Sequence, residues 1–147
     1  MLRIDRLTLT VAAFITAVPL FSGGFWLQMG TAEANPEARA QNAALVIRAT
    51  GCHDPAMAQV SGTVIRMVNG RKQTSSLKLV PLKEPGTFAV IREWPADASV
   101  TLEFVGHNAG MSTSMLVRAH GPSVEKASAK FYPHEPTAEE ELALAAR

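Results

Sequence analysis

The strongest constraint on the fold is a strict alternation of apolar and polar residues. In residues 99–105, which read SVTLEFV, Val100, Leu102 and Phe104 occupy every second position, with polar residues between them. Successive side chains of a β-strand point to opposite faces of the sheet. The pattern therefore predicts a strand of an antiparallel sheet that is buried on one face and exposed on the other.

Several further runs rich in β-branched or apolar residues end at Gly, Pro, Asn or Asp. With 99–105, the predicted strands are residues 44–50, 58–68, 71–82, 87–93, 112–119 and 124–132. The Asn69-Gly70 pair predicts a tight hairpin, because both residues tolerate positive φ. Gly62, inside a predicted strand, indicates a bulge or a close backbone approach. Short strands separated by turns, with no long central helix, predict an all-β, immunoglobulin-like antiparallel β-sandwich of about seven strands. Trp94, in a turn, is predicted to cover the edge of the core.

The N-terminal segment has the marks of a signal peptide. Arg3 and Arg6 precede a largely apolar run over residues 7–29, and the small residues Ala32 and Ala34 follow. A basic start, an apolar middle and a small-x-small end predict secretion and cleavage, here after Ala34. The alternative is an uncleaved membrane anchor, because the run is long enough to cross a bilayer. Either interpretation predicts a periplasmic or secreted domain whose only membrane contact is this segment.

These patterns divide the chain into four parts. We expect a signal peptide or anchor at residues 1–34, a linker at 35–43, the β-sandwich at 44–132 and a tail at 133–147. In the tail, Thr137 and Glu140 form a T-x-x-E capping box. The box predicts a short C-terminal helix over residues 138–146, in a tail that is otherwise solvated. A binding role for this tail is the alternative.

Cys52, in the stretch RATGCHDPAM, is the only cysteine. A c-type haem needs C-x-x-C-H, and zinc sites need several ligands at short spacings. A lipid anchor would lie directly after the apolar run. His53 is poorly placed as a base, because neighbours on an extended strand point to opposite faces. Cys52 is therefore predicted to be a semi-buried free thiol, with an intermolecular disulfide or a functional thiol as alternatives.

Composition and motifs argue against two broad classes of function. The net charge is only +1, and Lys and Arg do not cluster, so we expect no nucleic-acid partner. The sequence contains no G-x-S-x-G, no Gly-rich phosphate loop and no H-E-x-x-H. Its acidic residues are scattered. We therefore predict that the protein is not an enzyme and holds no catalytic residues.

One stretch, HNAGMSTSM, suggests a metal. It supplies His107, Met111 and Met115, and His120 follows shortly after. Thioether and imidazole groups are soft ligands that suit Cu(I). The preferred interpretation is structural and needs no cofactor: Met115 fills the core, and the two histidines are loop residues. Metal binding is the alternative.

Residues 85–106, PGTFAVIREWPADASVTLEFVG, resemble a strand–turn–strand piece of small periplasmic immunoglobulin-like modules. The piece is similar to the copper-resistance carriers and related exported accessory domains. The resemblance implies an immunoglobulin-like fold. The carriers' Cu(II) site uses an N-terminal histidine, which a chain starting at Asn35 lacks. Their Cu(I) site has its only counterpart here in the cluster of residues 107–120.

The sequence thus predicts an exported, non-enzymatic β-sandwich that binds a partner protein, a surface polymer of the cell envelope or a second copy of itself. The predicted edge strands are 44–50 and 124–132, since unpaired backbone groups on an edge can add a strand. A dimer would form through such an edge or through Cys52. The alternative function is a periplasmic copper carrier, with copper as its only cofactor.

Overall fold

The computed structural model describes residues 24–51 and 53–146. Its elements in chain order are β1 (Trp26–Gly30), α1 (Pro36–Ala40), β2 (Ala43–Thr50), β3 (Gln59–Val68), β4 (Arg71–Ser76), β5 (Lys78–Pro81), β6 (Thr87–Ile91), β7 (Ser99–Asn108), β8 (Met111–His120), β9 (Ser123–Tyr132) and α2 (Ala138–Ala145). A 3₁₀ turn, Pro55–Met57, lies between β2 and β3. No helix in these two ranges is long and apolar enough to cross a membrane.

The strands form two antiparallel sheets. The order is β1-β2-β6-β5 in the four-stranded sheet and β4-β3-β7-β8-β9 in the five-stranded sheet. If β1 to β8 are labelled A, B, C, C′, D, E, F and G in chain order, the two sheets have the immunoglobulin strand orders A-B-E-D and C′-C-F-G. β9 is an additional strand beside β8. The predicted all-β, immunoglobulin-like sandwich with a short C-terminal helix is confirmed.

The core lies between the sheets and follows the predicted alternation. Its largest fully buried side chains include Leu45, Ile47, Val90, Leu102, Phe104, Met115 and Val117. Each such side chain contributes about 1.5–3 kcal/mol by leaving water. Trp94 belongs to this core, is 4% exposed, and donates a hydrogen bond from Nε1 to the Gly121 carbonyl at 2.7 Å. With one cysteine in the chain, packing and sheet hydrogen bonds must stabilise the sandwich without an internal disulfide.

The start of the sandwich corrects the predicted bounds. β1 pairs with β2 along its whole length, from Trp26 opposite Thr50 to Gly30 opposite Val46. Leu27 is 2% exposed within the core. The folded domain therefore includes residues assigned to the signal segment 1–34, and it does not begin at residue 44. Residues 1–23 of that segment lie outside the described residues.

Residues 35–43 are not a linker. The Asn35 side chain accepts hydrogen bonds from the backbone N–H groups of Glu37 and Ala38, both at 3.0 Å, and so caps α1. Ala38 is fully buried on the outer face of the four-stranded sheet, in a small apolar cluster with Val46 and Ala89. α1 is thus a packed part of the domain.

The third predicted strand, 71–82, is divided between the two sheets. β4 belongs to one sheet and β5 to the other, and the chain crosses at buried Leu77. The Leu77 N–H donates to the Gly62 carbonyl at 2.8 Å. A Cβ on Gly62 would lie 2.9 Å from Leu79 Cδ1, so the close approach predicted at this glycine is confirmed. Residues 71–76 are polar and exposed throughout, so they have no alternation that could reveal the change of sheet, and the sequence suggested a single strand.

Two of the three two-residue hairpins of the five-stranded sheet use two residues with positive φ. Asn69 and Gly70 have φ of 50° and 72°, which confirms the predicted hairpin. Ala109 and Gly110 have φ of 48° and 79° and join β7 to β8. Residues 106–111 lie between the predicted strands 99–105 and 112–119, and the sequence therefore predicts a loop there. That prediction is wrong, because alanine adopts here the left-handed conformation usually left to Gly, Asn or Asp.

The C-terminal segment packs on the outer face of the five-stranded sheet. The capping box is confirmed, with the Glu140 N–H donating to Thr137 Oγ1 at 3.2 Å and the Thr137 N–H to Glu140 Oε2 at 2.8 Å. Leu144 is 6% exposed, and α2 contacts β3, β7 and β8. The tail is therefore attached to the sandwich and is not solvated along its length.

Candidate functional site

The residues predicted to bind copper do not converge. Met115 is fully buried in the core between the sheets. His107 lies on the opposite, outer face of the same sheet, where Nδ1 is 3.0 Å from Ser112 Oγ and Nε2 is 3.3 Å from Glu135 Oε1. A thioether inside the sandwich and an imidazole outside it cannot bind one ion.

The other two predicted ligands lie at opposite ends of β8. Met111 begins the strand and is 43% exposed, whereas His120 ends it, with Nδ1 2.8 Å from Ser99 Oγ. A strand of this length spans roughly 30 Å. Within the described ranges, no three His, Cys, Asp or Glu side chains are grouped as metal ligands would be. Cys52, the free-thiol candidate, lies outside the described residues.

The structure brings together a carboxylate pair that the sequence did not predict. Glu103 projects from β7 toward Glu141 of α2, and Lys72 of β4 forms an ion pair with Glu141. Burial raises the pKa of Glu103 to about 7, and the hydrogen bond and charge of Glu141 and the charge of Glu135 add to the increase, while Lys72 opposes it. Two carboxyl groups in such contact favour one shared proton.

Neither carboxyl group of this pair lines either of the two clefts described below. The ion pair of Glu141 with Lys72 joins α2 to the edge strand β4, so the cluster attaches the helix to the sheet. Two glutamates far apart in the sequence gave no signal of this contact.

A more accessible polar site lies on the outer face of the four-stranded sheet. A cleft of about 230 Å³ opens beside β1 and is lined by Gln28, Arg48, Glu84 and Thr87, among others. Gln28 is directly opposite Arg48 in the ladder of β1 and β2. Arg48 is in turn directly opposite Thr87 of β6. These three residues, here called the polar row, therefore cross three adjacent strands on one face.

The charges in the cleft are balanced. Arg48 Nη2 lies 2.6 Å from Glu84 Oε1, and both side chains are about half exposed, at 50% and 48%. An exposed ion pair of this kind adds little to stability. Its contribution to the cleft is a set of donors beside a set of acceptors.

Two buried threonine hydroxyls on this face have no hydrogen-bond partner among the residues that the structure describes. Thr87 is 3% exposed, and its buried Oγ1 is unpaired, as is the buried Oγ1 of Thr50. Leaving a buried hydroxyl unpaired costs about 1–3 kcal/mol. Such groups call for an explanation, and a bound water or ligand is the usual one.

An exposed aromatic side chain borders the polar row. Trp26 is 40% exposed and lies opposite Thr50 in the ladder. It precedes Gln28 by two positions, so both side chains project from the same face of β1. The sequence missed this site because β1 was assigned to the signal segment. The alternation in FWLQM, residues 25–29, was the signal that could have revealed it.

A second cleft, of about 290 Å³, lies between the end of α2 and the five-stranded sheet. Its lining includes Ile65, Met67 and Leu144, together with the ion pair of Arg118 Nη2 and Glu125 Oε2 at 2.9 Å. The apolar part of this lining is the packing surface of the helix. The first cleft has the stronger chemistry, because three aligned polar side chains line it. The exposed indole of Trp26 lies outside that lining, two positions before Gln28 on the same face of β1.

Comparison with known proteins adds no relative: no protein family, no curated protein and no solved structure matches this chain.

Proposed function

We propose that the protein is an exported, non-enzymatic binding module that holds a component of the cell envelope on the outer face of its four-stranded sheet. The observation that carries the proposal is the polar row beside exposed Trp26, with the unpaired Thr87 hydroxyl in the cleft. Aligned polar side chains with unused hydrogen-bonding capacity in a concave surface are typical of a ligand site.

Export is proposed from the N-terminal sequence, with a revised point of cleavage. Cleavage after Ala34 would remove β1 and with it the buried Leu27. The small residues Ser22 and Gly24 also follow a basic start and an apolar segment, and they give a small-x-small end directly before Phe25. Cleavage there leaves β1 in the mature protein. An uncleaved anchor, the alternative, would retain β1 as well.

The edge strands of the sheets are a second place where a partner could bind. The predicted edge 44–50 is wrong, because β2 lies between β1 and β6. β9 is an edge, but its pairing with β8 shifts register between Leu116 and Arg118, and Lys126 and Lys130 lie on it. Bulges and lysines discourage the addition of a further strand. β1, the edge beside the cleft, is therefore the better candidate for a bound chain or a second copy.

The copper-carrier alternative receives no support from the geometry, because its four predicted ligands are separated by the sheet and by the length of β8. Bound-metal analysis of the purified protein, followed by anaerobic Cu(I) titration, tests it directly. The alternative would be supported if the protein binds Cu(I) tightly and the combined substitutions Met111→Leu and Met115→Leu abolish that binding.

The proposed function is tested by co-sedimentation of the exported protein with washed cell envelopes. The test variant combines Arg48→Ala with Thr87→Val, and the matched control is Gln73→Ala, an exposed residue of the distant strand β4. We expect the wild type and the control to sediment with the envelopes and the double variant to remain in solution. Failure of the wild type to sediment would overturn the proposal.

A further inference from the structure

We infer that the ligand of the cleft is a neutral sugar unit of an envelope polysaccharide, with its ring against Trp26 and its hydroxyls on the polar row. The inference rests on the proposed function and specifies its ligand. Four observations support it: the aromatic surface, the types of polar group, the charge balance and the size of the cleft.

The strand that carries the aromatic surface is anchored in the core. Trp26 lies between Phe25 and Leu27, which are 7% and 2% exposed and anchor β1 in the core. The indole itself is 40% exposed. A flat, exposed aromatic face can pack against the C–H side of a sugar ring.

The polar groups match a ligand whose hydroxyls both donate and accept. The Gln28 amide and the Thr87 hydroxyl offer donors and acceptors, the Arg48 guanidinium offers donors only, and the Glu84 carboxylate offers acceptors only. Adjacent hydroxyls of a sugar can use such a mixed set. Thr87 Oγ1 is itself buried and has no partner among the described residues, so a ligand hydroxyl would pair with it only after the side chains that cover it move aside.

The charge balance favours a neutral ligand over an anion. Arg48 and Glu84 neutralise each other across 2.6 Å. A phosphate or carboxylate would have to compete with Glu84 for the guanidinium and would lie beside that negative charge. A neutral hydroxylated ligand can bind both groups while the ion pair stays intact.

The size of the cleft fits one ring. Its volume of about 230 Å³ is below the roughly 300–1,000 Å³ of sites for drug-sized ligands. The cleft lies next to the edge strand β1, so a polymer can continue past it on either side of the bound unit. We therefore expect recognition of one unit within a chain.

Tryptophan fluorescence of the exported protein tests the inference. Trp26 and Trp94 are the only tryptophans, and Trp94 is 4% exposed, so a ligand on the cleft changes chiefly the emission of Trp26. The probes are neutral glucan and N-acetylglucosamine oligosaccharides, inorganic phosphate and polyglutamate. We expect a saturable change with a neutral oligosaccharide and a weaker response to both anions.

Variants that retain Trp26 identify the site. Arg48→Met with Thr87→Val is expected to weaken oligosaccharide binding at least about tenfold, which equals about 1.4 kcal/mol. Gln73→Ala, the control on β4, is expected to bind like the wild type. Unchanged affinity in the double variant would overturn the inference, as would tighter binding of phosphate or polyglutamate.

Treatment of the envelopes separates this inference from the proposed function. If glycosidase treatment of the envelopes abolishes co-sedimentation of the protein and protease treatment does not, the result supports a polysaccharide ligand. The opposite pattern identifies a protein partner, so that the binding module stands and the sugar inference fails. If untreated envelopes do not bind the wild type, both fail.

Discussion

Gly106 of β7 lies directly against the side chain of Phe25 at the start of β1. A Cβ at position 106 would lie 3.0 Å from Phe25 Cζ and equally close to Leu27 Cδ2. The first strand is therefore packed across the core against the opposite sheet. This contact makes residues 25–30 part of the domain and places Trp26 and Gln28 on its surface.

Gly106→Val should destabilise the fold by about 1–3 kcal/mol, because the added methyl groups would displace Phe25 and Leu27 from a closely packed core. Urea denaturation measures the change. Gly30→Ala is the control, since its added Cβ would meet its nearest neighbour, Val46 Cβ, at 3.9 Å. Equal stability of the Gly106 variant and the wild type would show that β1 does not pack there.

Leu27→Ala should lower the free energy of unfolding by about 2–5 kcal/mol, the usual range for a fully buried leucine. Gln28→Ala, at the exposed neighbouring position, should stay within about 0.5 kcal/mol of the wild type. Chemical denaturation of both variants provides the comparison. A small effect at Leu27 would contradict the placement of β1 in the core.

Stability should fall as the pH rises through the range between the ordinary pKa of glutamate and about 7. Burial beside Glu141 raises the pKa of Glu103 from 4.5 to about 7, so the folded protein binds more protons in this interval than the unfolded chain. The free energy of unfolding then decreases with pH, and the stabilisation is complete only at lower pH.

Glu103→Gln should remove most of this dependence, because the amide keeps a neutral group at the position without titrating. The measurement is urea denaturation at about pH 5 and about pH 8 for both proteins. Two results would show that this carboxyl group does not titrate as described. One is a wild type that is more stable at the higher pH, and the other is a variant whose free energy of unfolding changes with pH as much as that of the wild type.

Trp94→Phe should cost about 1–3 kcal/mol, because the Gly121 carbonyl loses its hydrogen bond from Nε1 at 2.7 Å in a buried setting. Thermal unfolding reports the loss. Trp26→Phe is the control, as that indole is 40% exposed and should change stability little. Equal stability losses in the two variants would contradict the different environments assigned to the two tryptophans.

Alternation was sufficient to predict the sandwich, because the apolar residues of strands such as β7 all face the core between the sheets, although α2 covers part of the other face. The same rule failed at β1, whose apolar residues continue the preceding apolar run of the signal segment. It also failed at Leu77, since the polar residues 71–76 before it show no alternation from which a change of sheet could be predicted. The capping box predicted α2 correctly, but nothing local showed that Leu144 would be buried on a sheet.

The candidate site was harder to predict than the fold. Gln28, Arg48 and Thr87 become neighbours only through the register of three strands, two of which are far apart in the sequence. The copper prediction relied on the spacing of His107, Met111 and Met115. Spacing along a hairpin does not establish a common face, and here the sheet separates His107 from Met115.

The central claim is that β1 belongs to the exported domain and carries part of its binding face. Intact-mass measurement of the protein recovered after export tests it most directly. We predict a folded chain that begins at Phe25 and retains Trp26 and Gln28. A folded, exported chain that begins at Asn35 would contradict the account, because the sandwich would then form without β1.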